Sequence, residues 1–204
     1  QAGHAIRFAV TRGPLNIASF LMGNTEFFMG LRTDPEAIHI LLQRITDFLI
    51  DWLALQVKTI PTMDGIFLLD DQVGFIGKED FQQFALPYLK RIYDAFDVRV
   101  KCFHNDARGL ITAEYLPDIG VNLFNFSFEH SLQEIRQLTG NRVTLFGNIP
   151  PRDVLAGGTP DDVRRSVRET LAAATETTRL ILSCGGGVPP GVSTENIQAL
   201  LDAR

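Results

Sequence analysis

Cysteine is nearly absent from this chain: Cys102 and Cys184 are the only two in 204 residues. Two thiols cannot build a multi-bridge disulfide framework, and they suit a reducing, cytoplasmic setting. Basic residues are also scarce, with 19 Lys and Arg against 24 Asp and Glu and a formal net charge of -5. Phosphate backbones are held by clustered Lys and Arg, so no nucleic acid is expected as a partner. No apolar run approaches the roughly 20 residues that cross a bilayer, so no membrane span is expected. The opening residues, Gln1 to Arg7, show no basic n-region, no apolar leader and no initiator Met. They read as a start inside a longer protein. No internal repeat or low-complexity segment stands out.

What is present is alternation. Apolar, β-branched or aromatic runs of strand length lie at Ala5–Val10, Gly65–Asp70, Val98–His104, Val121–Phe126, Val143–Gly147 and Leu180–Cys184. Amphipathic stretches separate them. The longest opens at Asp34-Pro35, a cap followed by proline at the first helical position. It continues through Ile38, Leu41, Leu42, Ile45, Phe48, Leu49 and Trp52 at helical spacing. Further helices are predicted over Lys78–Phe96, after Arg108, over Leu132–Leu138, from a Thr159 cap to about Ala174, and from Ser193 onward. Strands alternating with helices predict a parallel sheet. The continuously apolar strands suit a sheet buried on both faces. With polar or glycine residues after almost every strand, the pattern favours a closed (β/α)8 TIM barrel over an open doubly wound sheet. Eight units take about 250 residues, so roughly the first two are expected to lie outside this chain. Residues 1–204 then form a single domain.

Active sites of such barrels gather at the C-terminal ends of the strands. Two runs deliver metal-ligating types there: His104 and Asp106 after one strand, Cys184 at the end of another. Catalytic zinc takes three protein ligands from Cys, His or carboxylate and keeps one position open, so His104, Asp106 and Cys184 are the predicted set. Asp70 and Asp71 end a third strand and point to opposite faces. One of the two is expected to face the barrel mouth. Glu129, beside His130, is a second acid–base candidate. Arg12 suits a carboxylate clamp, and Asn148, Gly185 and Gly186 are further predicted substrate contacts, the glycines letting backbone approach a bulky ligand. The competing reading makes Cys184 a small buried hydrophobe, His104 a satisfied rim residue and Asn105-Asp106 a turn.

Four blocks carry a family resemblance: Arg12-Gly-Pro-Leu-Asn-Ile-Ala-Ser-Phe-Leu-Met-Gly23, Phe84-Ala-Leu-Pro-Tyr-Leu89, Leu145-Phe-Gly-Asn-Ile-Pro-Pro151 and the glycine–proline loop Gly185–Gly191. Through them the chain resembles the uroporphyrinogen decarboxylase superfamily along nearly its whole length. That resemblance implies a (β/α)8 barrel and one of two chemistries. One branch decarboxylates tetrapyrrole acetate side chains without a cofactor; the other uses zinc to move methyl groups between a corrinoid protein and a thiol. Gly186 stands where the decarboxylases carry histidine, Pro150 stands where they carry aspartate, and Asp70 alone is retained from their Phe-Asp-Ser-His motif, so the resemblance implies Asp70 as the catalytic group at the mouth, with Asp71 a substrate contact. His104 and Cys184 match the first and last positions of the methyltransferase His-X-Cys…Cys pattern, with Asp106 in place of the middle cysteine. The resemblance therefore implies a zinc-assisted methyltransferase with a corrinoid protein as partner. Tetrapyrrole decarboxylation and a non-catalytic corrinoid- or tetrapyrrole-binding barrel are the alternatives, and a homodimer is compatible with each.

Overall fold

The computed structural model describes residues 3–203. Six strands, β1 (Phe8–Arg12), β2 (Gly65–Leu69), β3 (Val100–Asn105), β4 (Leu123–Phe126), β5 (Thr144–Ile149) and β6 (Leu180–Cys184), pair in parallel in the order of the sequence. An open doubly wound sheet reverses its order at a switch point; this one never does. Sequential parallel order, with helical crossovers between the strands except for the β3–β4 loop, is the architecture of the barrel.

Side-chain alternation divides each strand between two layers. Ile66, Leu68, Phe103, Phe124 and Leu145 are buried in one core cluster with Leu42, Leu49 and Leu53 of the long helix. Their neighbours Phe67, Leu69, His104, Asn125 and Phe146 line a cleft instead. The helix layer therefore claims one parity of each strand and leaves the other to the barrel interior.

Helix α3 (Pro35–Thr59) starts as its sequence predicts, with the Asp34 side chain accepting the Ala37 N–H at 3.1 Å. Its Gln56 amide also bonds both the N–H and C=O of Val10, at 3.0 and 3.1 Å. That satisfies backbone groups on the edge of β1 that faces away from β2. Helices α6 (Leu132–Leu138), α7 (Pro160–Ala173) and α8 (Thr194–Asp202) follow the predicted positions, α7 opening on a full Thr159–Asp162 capping box.

Three regions differ from expectation. Helices α1 (Pro14–Met22) and α2 (Asn24–Thr33) were not predicted; their apolar residues lack a clean stripe because α1 buries Leu15, Asn16, Ala18 and Ser19 together. The predicted helix over Lys78–Phe96 is interrupted. A short α4 (Lys78–Asp80) leads into a wide turn at Phe81–Ala85, where Leu86 N–H reaches back five residues to Phe81, and α5 (Leu86–Asp94) follows. Pro87 supplies no N–H to an ordinary helical ladder, and a wide turn absorbs the loss. After Arg108 only the single turn Ala113–Tyr115 forms. Gly109 lies against the Gly74 backbone, where an added Cβ would fall 2.1 Å from a carbonyl oxygen. That close approach holds the segment down as a loop. Among the described residues no helix is long and apolar enough to cross a membrane.

Candidate metal centre

A cleft of about 440 Å³ opens at the C-terminal strand ends, lined among others by Arg12, Asp71, His104, Asp106, Asn125 and Cys184. Within it, ligand atoms of Asp71, His104 and Asp106 all lie within 4.8 Å of one another. His104 Nε2 is 3.6 Å from Asp71 Oδ1 and 3.7 Å from Asp106 Oδ2. These separations exceed a good N–H···O hydrogen bond. Ligands at about 2.0–2.1 Å around tetrahedral zinc stand roughly 3.3 Å apart, so a small side-chain adjustment brings the group to that spacing. The donor types fit as well: one imidazole nitrogen and two carboxylates, with the opposite face open to the cleft.

The surroundings hold the ligands in place. His104 Nδ1 is 2.6 Å from Asn125 Oδ1, and the Asn125 amide group donates to the carbonyls of Phe146 and Cys184. Asp71 Oδ1 accepts the Asp106 N–H at 3.3 Å, while its Oδ2 lies 3.5 Å from Arg12 Nη1. Burial pushes the Asp106 carboxyl above its ordinary range and the Asp71 charge adds to this; the His104 ring and the Gly187 amide oppose it. Packing two carboxylates against one imidazole is unfavourable without a cation between them, the situation a metal ion relieves.

Several predicted residues sit elsewhere. Asp70 is fully buried and faces the helix layer, where its carboxylate accepts the N–H groups of Leu15 at 2.9 Å and Asn16 at 3.0 Å. It caps α1 from a neighbouring strand, because Gly13 at the N-cap position has no side chain to do so. An added Cβ on Gly13 would fall 2.2 Å from Asp70 Oδ2. Burial raises the Asp70 carboxyl to about 7 against the pull of those N–H bonds. Strand parity gives the reason: Phe67 and Leu69 face the cleft, so Asp71 follows them and Asp70 does not. The expectation of Asp70 at the mouth is thereby corrected in favour of Asp71.

Cys184 borders the cleft, but it packs against Leu155, Val163 and Ala199, and its Sγ donates to the Gly186 carbonyl at 3.0 Å. It is paired with Ile149 across the β5–β6 register, on the helix-facing parity. The close group therefore contains Asp71 where the sequence suggested Cys184. Burial raises the Cys184 thiol and pushes the Cys102 thiol up to about 12. We expect neither to react with a thiol reagent at pH 8 until denaturant is added; rapid labelling of the native protein would contradict their placement.

Glu129 is held by Arg108 through both carboxylate oxygens, each at 2.8 Å, and does not line the cleft. Asn148 donates to the His130 carbonyl at 2.6 Å and borders a separate depression with Ser131 and Thr170. Gly185 is needed because Phe128 backbone would lie 2.6 Å from a Cβ there. Gly186 does line the cleft, at φ +127°, with an added Cβ 2.8 Å from Asp106 Oδ2. Gly186→Ala is therefore expected to displace Asp106 and weaken metal binding by about tenfold or more, the size of effect seen when ligand support is lost. Isothermal titration with zinc checks it, and unchanged affinity would refute the contact.

Uroporphyrinogen decarboxylase (URO-D) is the family whose profile matches, over residues 3–204. The chain belongs to that family. It is 29% identical over 176 residues to the uroporphyrinogen decarboxylase of Chloroherpeton thalassium, covering 82% of this chain and 48% of that protein. It is 25% identical over 199 residues to that of Vesicomyosocius okutanii, covering 93% and 56%. The chain thus spans about half the length of these curated relatives. Among solved structures, a methyltransferase from Methanosarcina mazei superposes with a TM-score of 0.85 at 20% identity, over 99% of this chain and 59% of that one. This likeness establishes the barrel fold for the family member described here.

Proposed function

We propose that the barrel mouth is a zinc-dependent methyl-transfer site, with a corrinoid protein as methyl donor. The observation that carries this reading is the convergence of Asp71, His104 and Asp106 in the cleft. Zinc held there would act as a Lewis acid that lowers the pKa of an acceptor and holds it as its anion. The chain's own residues bind and orient: His104 and the two aspartates present three acceptor atoms, Asn125 holds the imidazole, and Arg12 steadies Asp71. One imidazole and two carboxylates carry the same charge as one imidazole and two thiolates, but they are harder donors. The acceptor in this reading is a thiol or a related group that the harder centre holds as its anion. Two buried, unpaired cysteines suit a cytoplasmic setting.

Tetrapyrrole decarboxylation is the second reading, favoured by the names of the curated relatives. In it Arg12 holds a substrate carboxylate and no metal is needed. Metal analysis of the purified full-length protein separates the two. Stoichiometric zinc with methyl transfer from a methylated corrinoid supports the first; metal-free protein that consumes uroporphyrinogen supports the second. Metal-free protein inert in both assays supports a non-catalytic binding barrel and refutes both enzymatic readings.

A further inference from the structure

We propose that Asn125 is a positioning residue that fixes the tautomer of His104, so that the neutral imidazole always presents a bare Nε2 to the cleft. The functional meaning of this rests on the metal-centre reading; the tautomer itself does not require a metal.

Asn125 lies at the inward parity of β4, flanked by Phe124 and Phe126, and is 3% exposed. The β4–β5 register ends at the pair Asn125–Phe146. There the Asn125 amide donates to the carbonyl of its neighbour Phe146 and, one strand further on, to that of Cys184 at 3.1 Å. Both carbonyls are acceptors only, so the side-chain atom facing them must be the NH₂ group. Turned over, the amide would set Oδ1 against two carbonyl oxygens, and its NH₂ against the ring. Oδ1 therefore faces His104, where it sits 2.6 Å from Nδ1.

An amide oxygen can only accept, so Nδ1 carries the proton. A neutral imidazole has one N–H, which leaves a lone pair on Nε2. That nitrogen is the one 3.6 and 3.7 Å from the Asp71 and Asp106 oxygens. One asparagine thus links the ends of β4, β5 and β6 to the imidazole on β3 and translates their relative position into the orientation of one lone pair. The arrangement has a chemical consequence. Neutral His104 can bind a cation or accept a proton at the cleft, but it cannot donate one there. A mechanism that needs a neutral Nε2–H donor toward substrate is excluded.

The test reads the tautomer directly. In ¹⁵N–¹H two-bond correlation spectra of the full-length, chelator-treated protein at pH 9, His104 is expected as the Nδ1–H form. An Nε2–H form in the wild-type protein would overturn the inference, whether or not the protein binds metal. Asn125→Asp keeps an acceptor at Nδ1 and is expected to retain the tautomer, at a cost in stability because its second oxygen faces the Phe146 and Cys184 carbonyls; Asn125→Leu removes the acceptor and is expected to give a mixture. Zinc titration supplies the second readout: the dissociation constant should rise about 10- to 100-fold for Asn125→Leu and far less for Asn125→Asp. Equal losses in both variants, with unchanged tautomers, would mean Asn125 serves packing alone and would also overturn the proposal. A wild-type protein that binds no zinc but shows the Nδ1–H form removes the metal reading and leaves the tautomer assignment standing.

Discussion

His104→Ala is expected to abolish stoichiometric zinc in the full-length protein, weakening the ion by more than about 100-fold, or roughly 2.8 kcal/mol. Asp71→Asn should approach the same loss for a different reason. Two carboxylates neutralise a divalent cation, and removing one leaves a net positive charge at the half-buried site, which binding must then overcome. Cys184→Ala is the decisive partner to these variants. Its thiol bonds the Gly186 carbonyl and packs with Leu155, Val163 and Ala199, so zinc content should stay at one per chain while stability falls modestly through lost packing. The reverse pattern, with zinc lost on Cys184→Ala and kept on Asp71→Asn, would restore the ligand set suggested by the His-X-Cys…Cys resemblance.

The second large effect concerns stability alone. Asp70→Ala removes the acceptor for two buried backbone N–H groups at the start of α1. Each unsatisfied buried donor costs about 1–3 kcal/mol, so a loss of about 3 kcal/mol is expected. In a chain of this size that corresponds to roughly 6–12 °C in Tm. Differential scanning calorimetry measures it, and zinc stoichiometry should be unchanged because Asp70 does not touch the cleft. A variant as stable as the parent but unable to bind substrate or metal would return Asp70 to the mouth. Asp70→Asn tests the same cap more finely, since one amide NH₂ would then oppose a backbone N–H and only one of the two bonds survives.

How far the sequence could be read depended on which signals were local. The six strands announced themselves as apolar runs bounded by glycine and charge, and the α3 and α7 caps were legible in Asp34-Pro35 and Thr159-Pro160. Helices α1 and α2 were not, because their buried residues are set by packing against α3 and against one another rather than by a single stripe. Rim residues were located by type: His104 and Asp106 came from one strand end, and the structure brings them together. The choice between Asp70 and Asp71 turned on strand parity, which adjacent aspartates cannot reveal by themselves. The alternation of Phe67 and Leu69 against Ile66 and Leu68 would have decided it only with knowledge of which face meets the helices. Cys184 was placed by its type at a strand end as well as by resemblance, and the β5–β6 register puts it with Ile149 on the helix side. Asn125 is not among the predicted residues, although its signal is local: a lone amide between two phenylalanines in a buried strand must find partners, and here they are the His104 imidazole and two carbonyls.

The account stands or falls on what surrounds the ion. X-ray absorption at the zinc edge of the full-length, metal-loaded protein should show only nitrogen and oxygen neighbours at about 2.0–2.2 Å. A sulfur neighbour at about 2.3 Å would put Cys184 in the coordination sphere and contradict the site built from Asp71, His104 and Asp106.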